Sequence, residues 1–190
     1  MAKKYLNKIV EINYFENPHV FTHTSSTIVS RKVFDKVVGG FPAGMKKNED
    51  YALFFSVALF AKTVYSGFPM SYYFANVDFQ ATQVLIDDYD DVVKRLNLTF
   101  QLWNNLGRND DFFLIFFKYE FRHFIFGFLK NNEYGKINDF LMKLDENALK
   151  TFSQIELFMY ENKFFKYIAI YYIIVTKLIW RKNGFPKVGE

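Results

Sequence analysis

From Thr82 to Gly184 the chain contains no proline, and glycine is sparse. Proline interrupts helix interiors and glycine weakens them, so this stretch is composed for helices. Before Thr82 the chain is different. Three of the four prolines fall there, together with the Gly39-Gly40 pair and short β-branched runs. The shift divides the chain into residues 1–82, read as strands, loops and one longer helix, and residues 83–190, read as a helical extension.

The 22–30 run (THTSSTIVS) reads as a strand and 31–38 as a short helix. Residues 39–42 are a turn signal. A helix is predicted over 49–62, with Asn48 as its side-chain cap and Glu49 and Asp50 suited to its positive end. Strands are predicted at 63–65 and 70–74 around the 67–69 turn. Further helices are predicted over 87–105, 110–130, 138–144, 147–162 and 163–181.

A length of 190 residues suits one domain with an appendage. There is no cysteine, which excludes disulfides and cysteine-based metal sites or nucleophiles. The net charge is +4. Residues 1–82 hold 9 basic and 6 acidic groups, and the remainder holds 15 and 14. Neither part has the basic excess that nucleic acid binding calls for, so no nucleic acid partner is expected.

Residues 17–73 carry a longer pattern. Asn17-Pro18 is followed by a small-residue stretch, Thr24-Ser25-Ser26-Thr27-Ile28-Val29. Then come Ser30-Arg31-Lys32-Val33-Phe34, Gly39-Gly40-Phe41 and, after seven residues, Glu49-Asp50-Tyr51. Lys62-Thr63-Val64-Tyr65 and Pro69-Met70-Ser71-Tyr72-Tyr73 complete it. In order and spacing this resembles the C-terminal part of the catalytic domain of family-2 glycosyltransferases. The resemblance implies an α/β fold: a partial GT-A (Rossmann-like) catalytic domain fragment, followed by a mainly α-helical C-terminal region. It implies Asp50 as the base that deprotonates the acceptor hydroxyl and Glu49 as its supporting carboxylate. Gly39 and Gly40 would line the donor sugar, where a missing Cβ permits close approach. Ser25 and Ser26 would leave room for substrate beside them.

The family's nucleotide-binding half, with its Asp-x-Asp metal motif, is expected upstream of this pattern. Only 17 residues precede Pro18, too few for a βαβ unit. The expectation is therefore a C-terminal portion of an inverting transferase of cell-surface polysaccharide synthesis, inactive alone. Its partners would be a nucleotide-sugar donor and a glycan or lipid-linked acceptor. This chain would bind no cofactor itself, and the complete enzyme would use Mg or Mn. Asp88-Tyr89-Asp90 fits the metal motif by letter. It lies after the Glu-Asp pair, in an acidic helix start, and is read as that.

The alternative is a non-catalytic module that binds a membrane or a partner. The 164–180 segment is the most apolar of the chain, but Lys166 and Lys177 interrupt it and it is short for a spanning helix. Lys163, Lys166, Lys177 and Arg181 fall within about 60° on a helix. The plainer reading is a core helix with one solvated edge. The sharper one is a helix lying in a membrane interface with Trp180 at the boundary. The aromatic runs at 112–117 and 121–129, interleaved with Lys118, Arg122 and Lys130, read first as core and second as stacking surface. His19, His23 and His123 read as structural. A cytoplasmic location, peripheral at the inner membrane face, and self-association complete the expectations.

Overall fold

The computed structural model describes residues 5–16, 24–37, 40–70, 89–107 and 111–182. Its elements follow the chain as β1 (Ile9–Ile12), α1 (Arg31–Phe34), α2 (Glu49–Phe60), β2 (Thr63–Ser66), α3 (Tyr89–Asn105) and α4 (Asp111–Asn131). These are followed by α5 (Tyr134–Lys143), α6 (Glu146–Leu149), α7 (Gln154–Glu161) and α8 (Lys166–Lys182).

The pattern of α4 shows why the fold centres on it. Phe113, Phe116, Phe117, Phe121, Ile125, Phe128 and Leu129 recur every three or four residues, and all are buried. A helix places such residues on one face, and that face must be covered. Its neighbours α3, α5 and α8 cover it. The high aromatic content is spent here. Phe121 meets Phe152 at 4.4 Å between ring centroids, Phe55 meets Phe116 at 4.8 Å, and Phe15 meets Phe113 at 5.0 Å. One buried cluster therefore runs from Tyr14 and Phe15 through α2 to Trp180. The aromatic runs are core, as their plainer reading has it.

The expected α/β frame is not there. Among the described residues the sheet has two antiparallel strands, β1 and β2, with Ile9 opposite Ser66 and Ile12 opposite Thr63. A Rossmann-like sheet is parallel and covered by helices on both faces, so the reading as a GT-A fragment is overturned. The expected strand over 22–30 shows the reason. Thr24–Ser26 form a 3-10 turn, and Ile28 is 99% exposed. Strand propensity expresses fit to a half-buried pleated surface, and among the described residues no strand pairs with this segment. Residues 22–23 of that segment and 71–74 of the other expected strand lie outside the described residues.

Helices α2, α3 and α4 lie where they are expected. Helix α2 starts at Glu49 and ends two residues early at Phe60, and α4 is shifted by one residue at each end. Helix α3 ends at Asn105, while its expected start at 87–88 lies outside the described residues. Asn48 does not cap α2 with its side chain; it takes a left-handed conformation (φ 63°) instead. The loop before α2 is tied down from elsewhere. Asp91 Oδ2 on α3 accepts from the Lys46 and Lys47 amides at 2.7 and 2.9 Å. The helix expected over 147–162 is two helices. Ser153 Oγ accepts from the Glu156 amide at 3.1 Å and starts α7, while Asp145 starts α6. The last helix is preceded by a 3-10 turn at Lys163–Phe165.

Candidate functional site

Arg122 stands on α4 among phenylalanines, where an unpaired charge would be costly. It is paired. Its Nε and Nη2 donate to Glu156 Oε1 and Oε2 at 2.8 and 3.0 Å, a two-pronged contact. The side chains are 15% and 4% exposed. Tyr160 Oη donates to Glu156 Oε1 at 2.6 Å, and Tyr172 Oη donates to Oε2 at 3.1 Å. One buried carboxylate thus fastens three helices, α4, α7 and α8. Burial alone would raise the Glu156 pKa. The Arg122 guanidinium and the two tyrosine hydroxyls outweigh it and hold the carboxyl below its ordinary value. Burial and the carboxylate push the Tyr160 phenol far up, so it stays a donor.

Beside this network, a cleft of about 250 Å³ opens between α4 and the end of α8. On α4 the spacing of Ile115, Lys118, Tyr119 and Arg122 puts all four on one face toward it. From α8 come Thr176, Lys177, Ile179 and Trp180. Three cations therefore meet an apolar wall. Arg122 is neutralised by Glu156. Lys177 lies over the rings of Tyr119 and Phe126, at 5.3 and 5.1 Å. Lys118 is half-buried and lies over Phe152 at 5.5 Å. No salt bridge to Lys118 occurs among the described residues. Burial, then the nearby Arg122 charge, lower the Lys118 pKa, with Glu156 opposing.

The outer face of α8 is the second feature. The helix buries Ala169, Ile173 and Trp180 toward α4 and α7. On the other side Tyr167, Ile168, Tyr171, Ile174, Leu178 and Ile179 are all exposed, Tyr167 by 80% and Leu178 by 58%. At 100° per residue these six span about 140° of the circumference and about 18 Å of length. None is charged. Phe164 in the preceding turn and Phe158 of α7 are exposed as well. Trp180, expected at a membrane boundary, is instead buried against Tyr119 at 4.0 Å. Among the described residues no helix is long and apolar enough to cross a membrane.

The residues expected to carry chemistry are placed as follows. Glu49 and Asp50 open α2, both half-buried, and Asp50 Oδ1 accepts from the Tyr51 amide at 2.8 Å. Next to them the Arg95 guanidinium lies over Phe55 and Tyr51, at 5.1 and 5.8 Å, and pairs with Glu120 at 2.8 Å. Gly40 is buried with φ 103°, a backbone conformation that other residues rarely adopt, and a Cβ there would come 2.7 Å from the Phe34 ring, so local structure already accounts for glycine. Gly39 lies outside the described residues, as do His19, His23 and Asp88. Ser25 and Ser26 are exposed in the 3-10 turn. Asp90 pairs with Lys143 at 2.8 Å. His123 is exposed on α4.

The network was only half legible. Lys118 and Arg122 stand out as cations within an aromatic run. Glu156 reads as any helical glutamate, and only its spacing to Tyr160, four residues on, hints at a shared face.

These observations define a mainly helical assembly on a two-stranded ribbon, with a cationic cleft and a helix face that is apolar and unpartnered among the described residues. Among the described residues no cluster of three or more His, Asp or Glu side chains is placed to hold a metal. Compared with family models, with curated proteins and with solved structures, the chain matches none.

Proposed function

We propose that the chain is a docking module that rests on an anionic membrane surface through the outer face of α8. The uncharged 140° face described above carries this reading. Soluble proteins rarely leave so continuous an apolar surface in water. Amphipathic helices that lie in the plane of a bilayer have such a face, bordered by cations. Here Lys166 and Lys177 lie about 60–80° beyond one edge of this face around α8, on a chain of net charge +4. Tyr167 and Tyr171 are amphiphilic side chains of the kind that favours the headgroup level.

The exposed fractions of the six residues amount to about three and a half whole side chains. At roughly 1.5–3 kcal/mol each, full burial would contribute about 5–10 kcal/mol, an upper limit for an interfacial site. Leu178→Glu removes about 1–2 kcal/mol of this and sets a negative charge against the lipid. Partition onto phosphatidylglycerol vesicles, measured by co-sedimentation, is expected to fall about tenfold or more. Wild-type protein that ignores these vesicles, or that sediments as a stable dimer hiding α8, overturns the reading. Sugar transfer rests on the pattern in residues 17–73 alone; the helix face bears on the non-catalytic alternative.

A further inference from the structure

Resting on that membrane reading, we propose that the cleft between α4 and α8 receives a phosphoryl group, the headgroup of a membrane lipid whose apolar part follows the outer face of α8. Three observations lead there. The cleft is cationic. Lys118, Arg122 and Lys177 line it, no carboxylate does so among the described residues, and Glu156 pairs with Arg122 while Lys118 has no salt bridge among those residues. Tetrahedral oxyanions are bound by such converging donors, with lysine acting as a point charge.

The second observation is the state of Lys118. Its ammonium group is half-buried, faces a like charge on Arg122 and has no salt bridge among the described residues. An anion in the cleft relieves both burdens, which is why this side chain is the sensitive one to test.

The third is the route out of the cleft. Ile115 and Ile179 line it and are themselves exposed. Ile179 also belongs to the outer face of α8, so the cleft wall passes without a polar break into the apolar stripe. A volume of about 250 Å³ lies just below the range for whole small-molecule ligands. It suits a headgroup whose chains remain outside.

Dihexanoyl phosphatidic acid, kept below its micelle concentration, is the direct probe. Its binding to the full chain is followed by calorimetry and by the fluorescence of Trp180, which lines the cleft. Lys118→Gln should weaken binding about tenfold or more, and Lys118→Arg should restore most of it, with thermal melts confirming the fold of both. Inorganic phosphate should bind far more weakly than the lipid. Equal binding of the two overturns the lipid source and leaves a site for free phosphate. No binding of either, or equal affinity in wild type and Lys118→Gln, overturns the cleft altogether. The two proposals separate cleanly. Vesicle partition that survives while Lys118→Gln has no effect removes the cleft alone, and loss of vesicle partition in the wild type removes the docking reading.

Discussion

Replacing Glu156 by Gln tests how α8 is held. The substitution keeps the shape of the side chain but removes the charge that faces Arg122, leaving a guanidinium only 15% exposed without a counter-ion. Breaking a buried pair from one side costs about 3–5 kcal/mol. In a domain of this size each kcal/mol moves the melting temperature by roughly 2–4 °C. The expected loss is therefore about 6–20 °C, followed by circular dichroism at neutral pH. Adding Arg122→Met should recover part of it, because the stranded charge is then gone.

The pH dependence sharpens the test. The Glu156 pKa in the folded chain lies below its ordinary value of 4.5. Its contribution is therefore fully present above that value and is lost as pH falls through the lower folded pKa. The gap in melting temperature between wild type and Glu156→Gln should be constant from pH 7 to about 5 and should shrink below about 4.5. A variant that melts within about 3 °C of wild type, or a gap that does not change with acid, would refute the view that this carboxylate fastens α4, α7 and α8.

Two further substitutions probe the amino-terminal part. Gly67→Ala would place a Cβ 1.7 Å from the Tyr5 carbonyl oxygen, at a turn where Gly67 N donates to Lys8 O at 2.7 Å. The β1–β2 closure must open, and a loss of about 2 kcal/mol or more is expected in urea titrations; a neutral result would mean that the closure adds nothing to stability. Asp91→Ala strips the acceptor from the Lys46 and Lys47 amides and should cost about 2–3 kcal/mol. Unchanged hydrogen-exchange protection at those amides would show that the loop is held by other contacts.

How much of this fold the sequence discloses differs by element. The α4 stripe is legible because burial repeats with the helical period. The start of α2 is legible from Glu49 and Asp50, although Asn48 is not its cap. The strand pairing is not legible. β1 is only four residues, IVEI, and its partner lies far along the chain, so no local pattern announces the pair. The 22–30 run misleads because β-branched residues signal a strand only where a neighbour exists. The division of 147–162 was readable in principle: Ser153-x-x-Glu156 is the signature of a helix start. The apolar character of 164–180 is plain in the sequence. Which side of it finds a partner is decided by α4 and α7, and no reading of the segment alone supplies that.

The β1–β2 pair also sets a timetable. Ile9 must wait for Ser66, 57 residues later. At roughly 5–20 residues per second of synthesis, β1 spends about 3–11 s without its partner. During that interval it is a short apolar edge available to any other nascent chain. Lys8 and Glu11, charges set before and within a four-residue strand, are the sequence's protection over those seconds. Neutralising them should show first as a lower yield during synthesis, ahead of any change in the finished protein's melting point.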